Sequence, residues 1–145
     1  MRTRPGACII ENNKILLLRY EYNGVDVFNI PGGNHENAEM VADTLKREMQ
    51  EELGIVIHVD DLVLVAEATN KSVNNEVLHL IFKCHIIEYE PIINKNECSA
   101  IEVVWLPLEK LKEINLYPYI GADLFQSINS QNYKIYVGKF QQPWY

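Results

Sequence analysis

Glu39-Met40-Val41-Ala42-Asp43-Thr44-Leu45-Lys46-Arg47-Glu48-Met49-Gln50-Glu51-Glu52-Leu53-Gly54 is the stretch on which the reading of this chain turns. Before its last residue it has no glycine or proline, it is rich in helix formers, and it stops at Gly54, the residue type expected just past a helix C-terminus. This predicts a helix over 39–53. On a wheel of about 100° per residue, Ala38, Val41, Ala42, Leu45, Met49 and Leu53 share an arc roughly 120° wide, which is the core face. Glu48 lies beside that arc and Glu51 roughly 60° further round, whereas Glu52 falls inside it, between Val41 and Leu45. A merely solvated charge does not belong there.

The three carboxylates stand where a bare helix disfavours them. Glu48 with Glu52 is a like-charge i,i+4 pair and Glu48 with Glu51 an i,i+3 pair, each unfavourable by about 0.2–0.5 kcal/mol. Glu51 and Glu52 also occupy the last turn, at the negative end of the helix dipole, where cations are preferred. Such clustered violations are expected at functional sites, and a hard divalent cation relieves all of them by neutralising carboxylates that converge from adjacent turns. Mg²⁺ is the natural candidate, with Mn²⁺ as the alternative, because Mg²⁺ keeps several waters and binds through a few carboxylates plus substrate phosphate.

Upstream, Gly6–Glu11 and Ile15–Tyr20 read as a hairpin about the Asn12-Asn13 turn, and Val25–Ile30 as a strand that Pro31-Gly32-Gly33 must end. Downstream, Ile55–Val59, Leu62–Ala68, Val77–Tyr89 and Ile101–Leu106 read as strands, with a turn between Asn70 and Asn75. Pro107–Ile114 and Tyr119–Ile128 read as short helices and Tyr133–Phe140 as a last strand. With no repeat or linker in its 145 residues, the chain is expected to form one α+β or α/β domain.

The formal charge of −7 argues against a general grip on DNA or RNA, which needs a basic face. No run approaches the roughly 18 apolar residues of a membrane helix. Cys8, Cys84 and Cys98 are widely spaced and odd in number, so neither a disulfide framework nor a thiolate zinc site is indicated. No export signal follows Met1–Ala7, and a cytoplasmic location with reduced thiols is expected.

Taken together, Gly33-Asn34-His35-Glu36-Asn37-Ala38-Glu39, the seven residues 40–46, and Arg47-Glu48-Met49-Gln50-Glu51-Glu52-Leu53-Gly54-Ile55 resemble the complete Nudix box. That signature is G-x5-E-x7-R-E-U-x-E-E-x-G-U, with U aliphatic and Met49 standing at the first U. At residue frequencies of about 5–10%, its seven fixed letters recur by chance on the order of once in ten million windows. The box covers 23 of the 145 residues, and the flanks Phe28-Asn29-Ile30-Pro31-Gly32-Gly33 and Val103-Val104-Trp105-Leu106-Pro107-Leu108 are similar to the family as well.

The resemblance implies an α/β/α sandwich with a central mixed β-sheet, and Mg²⁺-dependent hydrolysis of a nucleoside diphosphate linked to a moiety X. The products would be a nucleoside monophosphate and phosphorylated X or pyrophosphate. It implies Glu48, Glu51 and Glu52 as the metal-binding and base carboxylates and Arg47 as the charge partner that orients a glutamate. It further implies Gly32 as the glycine whose carbonyl joins the metal, with Glu39 and Gly54 chiefly structural. A domain that senses a nucleotide without turnover is the alternative. The expected partner is a small nucleotide-like substrate, not a nucleic-acid polymer or a membrane, and a homodimer is admitted.

Many members of the family recruit a further carboxylate from outside the box; Glu97 is the candidate here, with Glu102 behind it. His35 is placed to meet phosphate, whereas His58, His79 and His85 form no spaced ligand set, so zinc is not expected. Tyr20, Tyr22, Phe28, Tyr117 and Tyr119 are the aromatic candidates for stacking on a base. Between Val56 and Glu88 there is neither Pro nor Tyr, so the downstream proline of the ADP-ribose subfamily and the tyrosine of the diadenosine-polyphosphate subfamily are not found. The expected substrate shifts toward noncanonical or oxidised nucleoside triphosphates.

Overall fold

Asn12 and Asn13 both take positive φ, 53° and 61°, the left-handed conformation that asparagine tolerates better than most residues. They join β1 (Arg2–Glu11) to β2 (Lys14–Tyr22) in the expected hairpin. The hairpin is only two pairs deep, Ile10↔Ile15 and Glu11↔Lys14, after which the strands part. Strand β2 goes on to pair with β3 (Val25–Asn29) and β6 (Glu102–Pro107). Strand β1 instead runs parallel to β5 (Asn75–Glu88), from Arg2↔Val77 to Ile9↔Cys84.

This divergence leaves the free edge of β1 to the Pro31-Gly32-Gly33 loop, which fills it with backbone hydrogen bonds. Ala7 N donates to Pro31 O at 2.7 Å, Gly33 N to Pro5 O at 3.3 Å and His35 N to Thr3 O at 3.0 Å, and Gly6 and Gly32 form a bridge. The approach requires glycine at 32: a Cβ there would lie 2.2 Å from Pro5 O and 2.9 Å from Gly6 Cα, both backbone atoms that cannot swing aside.

The loop delivers the chain to α1 (Val41–Leu53). Leu45, Met49 and Leu53 are fully buried, with Ala7, Ile9, Leu16 and Leu18 of the sheet, as the periodicity requires. Gly54 ends the helix at φ 65°, its N–H bonded to Gln50 O at 3.0 Å. The helix begins two residues later than expected. Ala38 has φ 65° and is exposed, so it does not belong to the core arc. The buried residue that the apolar pattern passed over is Thr44, whose hydroxyl is satisfied by Glu39.

Strand β4 (Val56–Asn70) is continuous where two strands were expected. Register shifts around Leu62 absorb Asp60-Asp61 as a bulge and let the pairing with β5 resume. Two further strands, β7 (Leu116–Tyr117) and β8 (Tyr136–Phe140), complete an eight-stranded mixed sheet of order β7-β3-β2-β1-β5-β4-β8, with β6 on β2. The two-residue β7 is too short to leave a sequence pattern, and β8 starts three residues later than expected.

Helix α1 packs on one face of the sheet. A 3₁₀-helix (Leu108–Lys112), shorter than the expected 107–114 segment, and α2 (Gly121–Asn129) pack on the other. Alternation along β1 sends Ala7 and Ile9 to the first core and Cys8 to the second, giving the α/β/α sandwich. The structure describes residues 1–70 and 75–143; the turn expected between Asn70 and Asn75 lies outside them. Among the described residues no helix is long and apolar enough to cross a membrane.

Gly32→Ala is expected to lower the stability of the fold by about 1–3 kcal/mol, since the added methyl drives two backbones apart. Urea unfolding measures it, and an unchanged midpoint would show that the loop does not lie on β1 as described.

Candidate active site

Glu39, just outside α1, folds its carboxylate back onto the helix. It accepts from Thr44 Oγ1 at 2.6 Å, Arg47 Nε at 2.8 Å and the Glu36 N–H at 3.3 Å. The Arg47 and Thr44 hydrogen bonds pull its carboxyl down to about 2. Arg47 then spends Nη1 on the helix, 3.1 Å from Glu48 Oε1 and 3.2 Å from Glu51 Oε2, while Nη2 lies 3.6 Å from Glu36 Oε1. One guanidinium therefore serves four carboxylates and fixes Glu48 and Glu51 side by side.

Glu52 has no share in that arrangement. Burial, followed by the charge of Glu48 and a hydrogen bond to it, pushes its carboxyl up to about 8. The cation that opposes this shift is Arg4 of β1. Arg4 is only 9% exposed; its Nη2 donates to Ile30 O at 3.1 Å, its Nη1 has no hydrogen-bond partner among the described residues, and its guanidinium lies 5.0 Å from the centre of the Tyr117 ring. The sequence reading missed Arg4. It lies before the Gly6–Glu11 strand that the sequence pattern marks, and nothing in the sequence says that β1 faces the last turn of α1.

The residues fit a hard divalent cation. Three carboxylates converge from adjacent turns, one of them held well above its ordinary range by burial and by the charge of Glu48. The loop opposite is cut back to make room: a Cβ on Gly33 would lie 2.2 Å from Glu48 Cδ. Gly32 is buried beside it at the bridge with Gly6.

The remaining candidates separate. Asn94 N donates to Glu52 O at 2.8 Å and Asn94 Nδ2 to Glu51 O at 3.2 Å, so the 92–94 segment caps the last carbonyls of α1. Glu97 follows on an exposed turn, and among the described residues its carboxylate has no hydrogen bond or ion pair. Glu102 is bound to Arg19 at 2.7 Å. The His35 ring is tied to Glu39 O at 2.5 Å, which leaves it bracing the loop.

Phe28 packs in the second core, and Tyr119 is exposed. Tyr20 and Tyr22 stack on each other at 6.1 Å. Tyr22 and Tyr117 line a cavity of about 440 Å³ together with Arg2, Asn29 and Gln142. His79 is buried edge-on to Tyr117, and burial, with the charges of Arg4 and Arg2, lowers it to about 3, so it is a neutral packing residue. His58 and His85, unconnected in the sequence reading, come together with Asp60 on the sheet.

An α/β/α sandwich whose helix carries these carboxylates opposite a glycine loop defines a class. A family model described as the NUDIX domain matches residues 1–124, and the chain belongs to that family. An ADP-ribose pyrophosphatase of Methanocaldococcus jannaschii is 31% identical over 80 residues, 54% of this chain and 47% of that protein. The match thus spans about half the length of that relative. A NUDIX hydrolase from Nitrosomonas europaea has a TM-score of 0.75 at 16% identity, covering 92% of each chain. A MutT protein from Methanosarcina mazei Go1 gives 0.73 at 24% identity, covering 92% of this chain and 96% of its own.

Folding raises the Glu52 carboxyl from 4.5 to about 8, so the folded chain holds a proton there that the unfolded chain releases. The associated stability is complete below pH 4.5 and is lost as pH rises through about 8. Calorimetric melting in EDTA across this range is expected to show that decline in the wild type. In Glu52→Gln this part of the decline is expected to be absent.

Proposed function

We propose that the chain hydrolyses a diphosphate linkage in a nucleoside diphosphate joined to a moiety X, using Mg²⁺ or Mn²⁺ held by Glu48, Glu51, Glu52 and the Gly32 carbonyl. The observation that carries this reading is the division of labour between Arg47 and Glu52. Arg47 locks Glu48 and Glu51 in place, and the adjacent Glu52 is left half-buried without an ion-pair partner among the described residues. A cation bound there supplies neutralisation of phosphate charge and acidification of a water.

The chain's own residues do the rest. Glu39 and Thr44 hold Arg47, and Arg47 holds Glu48 and Glu51, one of which accepts the proton of the attacking water. Arg4 adds a fixed positive charge beside the acidic cluster, suited to a substrate phosphate. Tyr117, beneath Arg4, carries the site toward the 440 Å³ cavity, where Tyr22 and Asn29 suit a base. The segment that caps α1 would bring Glu97 toward the cation as a further ligand.

Two substrate classes have support. The archaeal relative is an ADP-ribose pyrophosphatase, whereas the stretch between Val56 and Glu88, with neither Pro nor Tyr, favours nucleoside triphosphates of the noncanonical or oxidised kind. Either leaves a nucleoside monophosphate. A cytoplasmic setting fits three free, buried cysteines, with burial pushing the Cys8 and Cys84 thiols up to about 12.

Turnover of a panel of nucleoside triphosphates, dinucleotides and nucleotide sugars in ¹⁸O-water with Mg²⁺ tests the reaction. The label is expected on a phosphorus product, beside a nucleoside monophosphate. Free nucleoside or inorganic phosphate alone, from every active substrate, would place the chemistry elsewhere, and binding without turnover would favour the sensing alternative.

Glu51→Gln and Glu52→Gln keep size and helix propensity but remove charge. Each is expected to lower turnover by at least about 10²-fold. Without metal and near neutral pH the melting temperature of Glu52→Gln should hold or rise, since the carboxyl it replaces is already kept neutral by burial beside Glu48. Glu36→Gln, a 67%-exposed loop carboxylate, should have a much smaller effect on turnover. Near-native turnover in both helix variants would sink the proposed cage.

A further inference from the structure

We propose that His58, Asp60 and His85 form a second cation site, for a divalent transition metal that favours imidazole, such as Zn²⁺, Ni²⁺ or Cu²⁺. It is independent of the carboxylate site on α1 and of the reaction proposed above.

The antiparallel register of β4 and β5 sets His58 directly opposite His85, with ring centres 5.1 Å apart. Asp60 is two residues beyond His58 and shares its face of the strand. Its carboxylate reaches both rings: Oδ1 is 2.8 Å from His58 Nδ1 and Oδ2 is 2.9 Å from His85 Nδ1. One donor atom from each residue thus lies within 4.8 Å of the others. A tetrahedral ion with bonds near 2.0–2.1 Å needs neighbouring donors about 3.3 Å apart, so a small adjustment seats it.

The donor chemistry selects the metal. Two imidazoles and one carboxylate suit Zn²⁺, Ni²⁺ or Cu²⁺, whereas Mg²⁺ prefers the all-oxygen set on α1. The hydrogen bonds from His85 and His58 hold Asp60 below its ordinary range, so it is an anion ready to ligate. Glu11 and Glu90 line a cavity of about 240 Å³ beside His85 and add negative charge. Both imidazoles are about 60% exposed, at 58% and 61%, which leaves coordination positions open to water.

The two metal sites face away from each other. Ile57 and Cys84 turn into the core that α1 covers, so their strand neighbours His58 and His85 point to the opposite side of the sheet. Without metal, each ring donates an Nδ1–H to Asp60. With metal, each ring carries its proton on Nε2 and the ion takes the place of the two hydrogens, with no net change in proton count. The bound ion would staple β4 to β5.

The test keeps the whole chain in millimolar Mg²⁺, which occupies the carboxylate site, and adds Zn²⁺. Calorimetry is expected to show one further equivalent in the wild type, bound at least about 10-fold more weakly in His58→Asn, Asp60→Asn or His85→Asn. Histidine ¹⁵N spectra of the wild type give a readout that needs no variant. His58 and His85 should convert from the Nδ1–H to the Nε2–H tautomer as Zn²⁺ is added, with His79 unaffected. Zn²⁺ should also raise the melting temperature of the wild type but not of His85→Asn. Equal Zn²⁺ binding in wild type and variants, or unchanged His58 and His85 tautomers, would overturn the site.

Discussion

The guanidinium of Arg47 is the interaction on which this molecule's acidic centre depends. Glu36, Glu39, Glu48 and Glu51 all lie within 3.6 Å of it, and without a shared cation they would repel one another across a short helix and the loop before it. A planar, always-charged fork can satisfy several carboxylates at fixed angles, which a lysine ammonium could not do with the same geometry. The arrangement also leaves a remainder. Every carboxylate that Arg47 reaches is tied down, and the one it does not reach, Glu52, is pushed by burial and by Glu48 to hold its proton up to about pH 8.

That helix is useful only because the chain in front of it is held against the sheet. The hairpin of β1 and β2 opens after two pairs, and the edge it exposes is taken by the glycine loop that precedes α1. Two glycines meet at one bridge, and the next residue, Gly33, brings its backbone into the same small space as the Glu48 side chain. Arg4, on that same strand, packs over the Tyr117 ring, and Tyr117 lines the neighbouring cavity. The topology that closes the fold is thus also what makes the cleft.

Two donor sets of different character sit on opposite faces of one sheet. The helix offers oxygens alone, in a partly buried, electrostatically frustrated cluster, as hard cations require. The strand pair offers nitrogen and oxygen at an exposed, already hydrogen-bonded cluster, where a borderline metal competes only with protons. Burial separates them further. The first set holds carboxylates against one another, and the second is already hydrogen-bonded.

Periodicity, dipole and repulsion in residues 39–54 were enough to define the helix, most of its buried face and the clustering of Glu48, Glu51 and Glu52, because all of these are local properties of one segment. The Gly54 stop and the glycine loop were legible for the same reason, since backbone geometry at those points restricts residue type. Strand pairing beyond the β1–β2 hairpin was not. Arg4 reaches the site, and His58 meets His85, only because β1, β4 and β5 align in a particular register. Glu97 depends on tertiary structure as well: its turn follows the segment that caps α1, a proximity with no local record in the sequence. The local sequence determined where charge would be concentrated and which helix would carry it. Only the tertiary structure decided which distant side chains share that charge, because strand register sets distances between residues that carry no local record of one another.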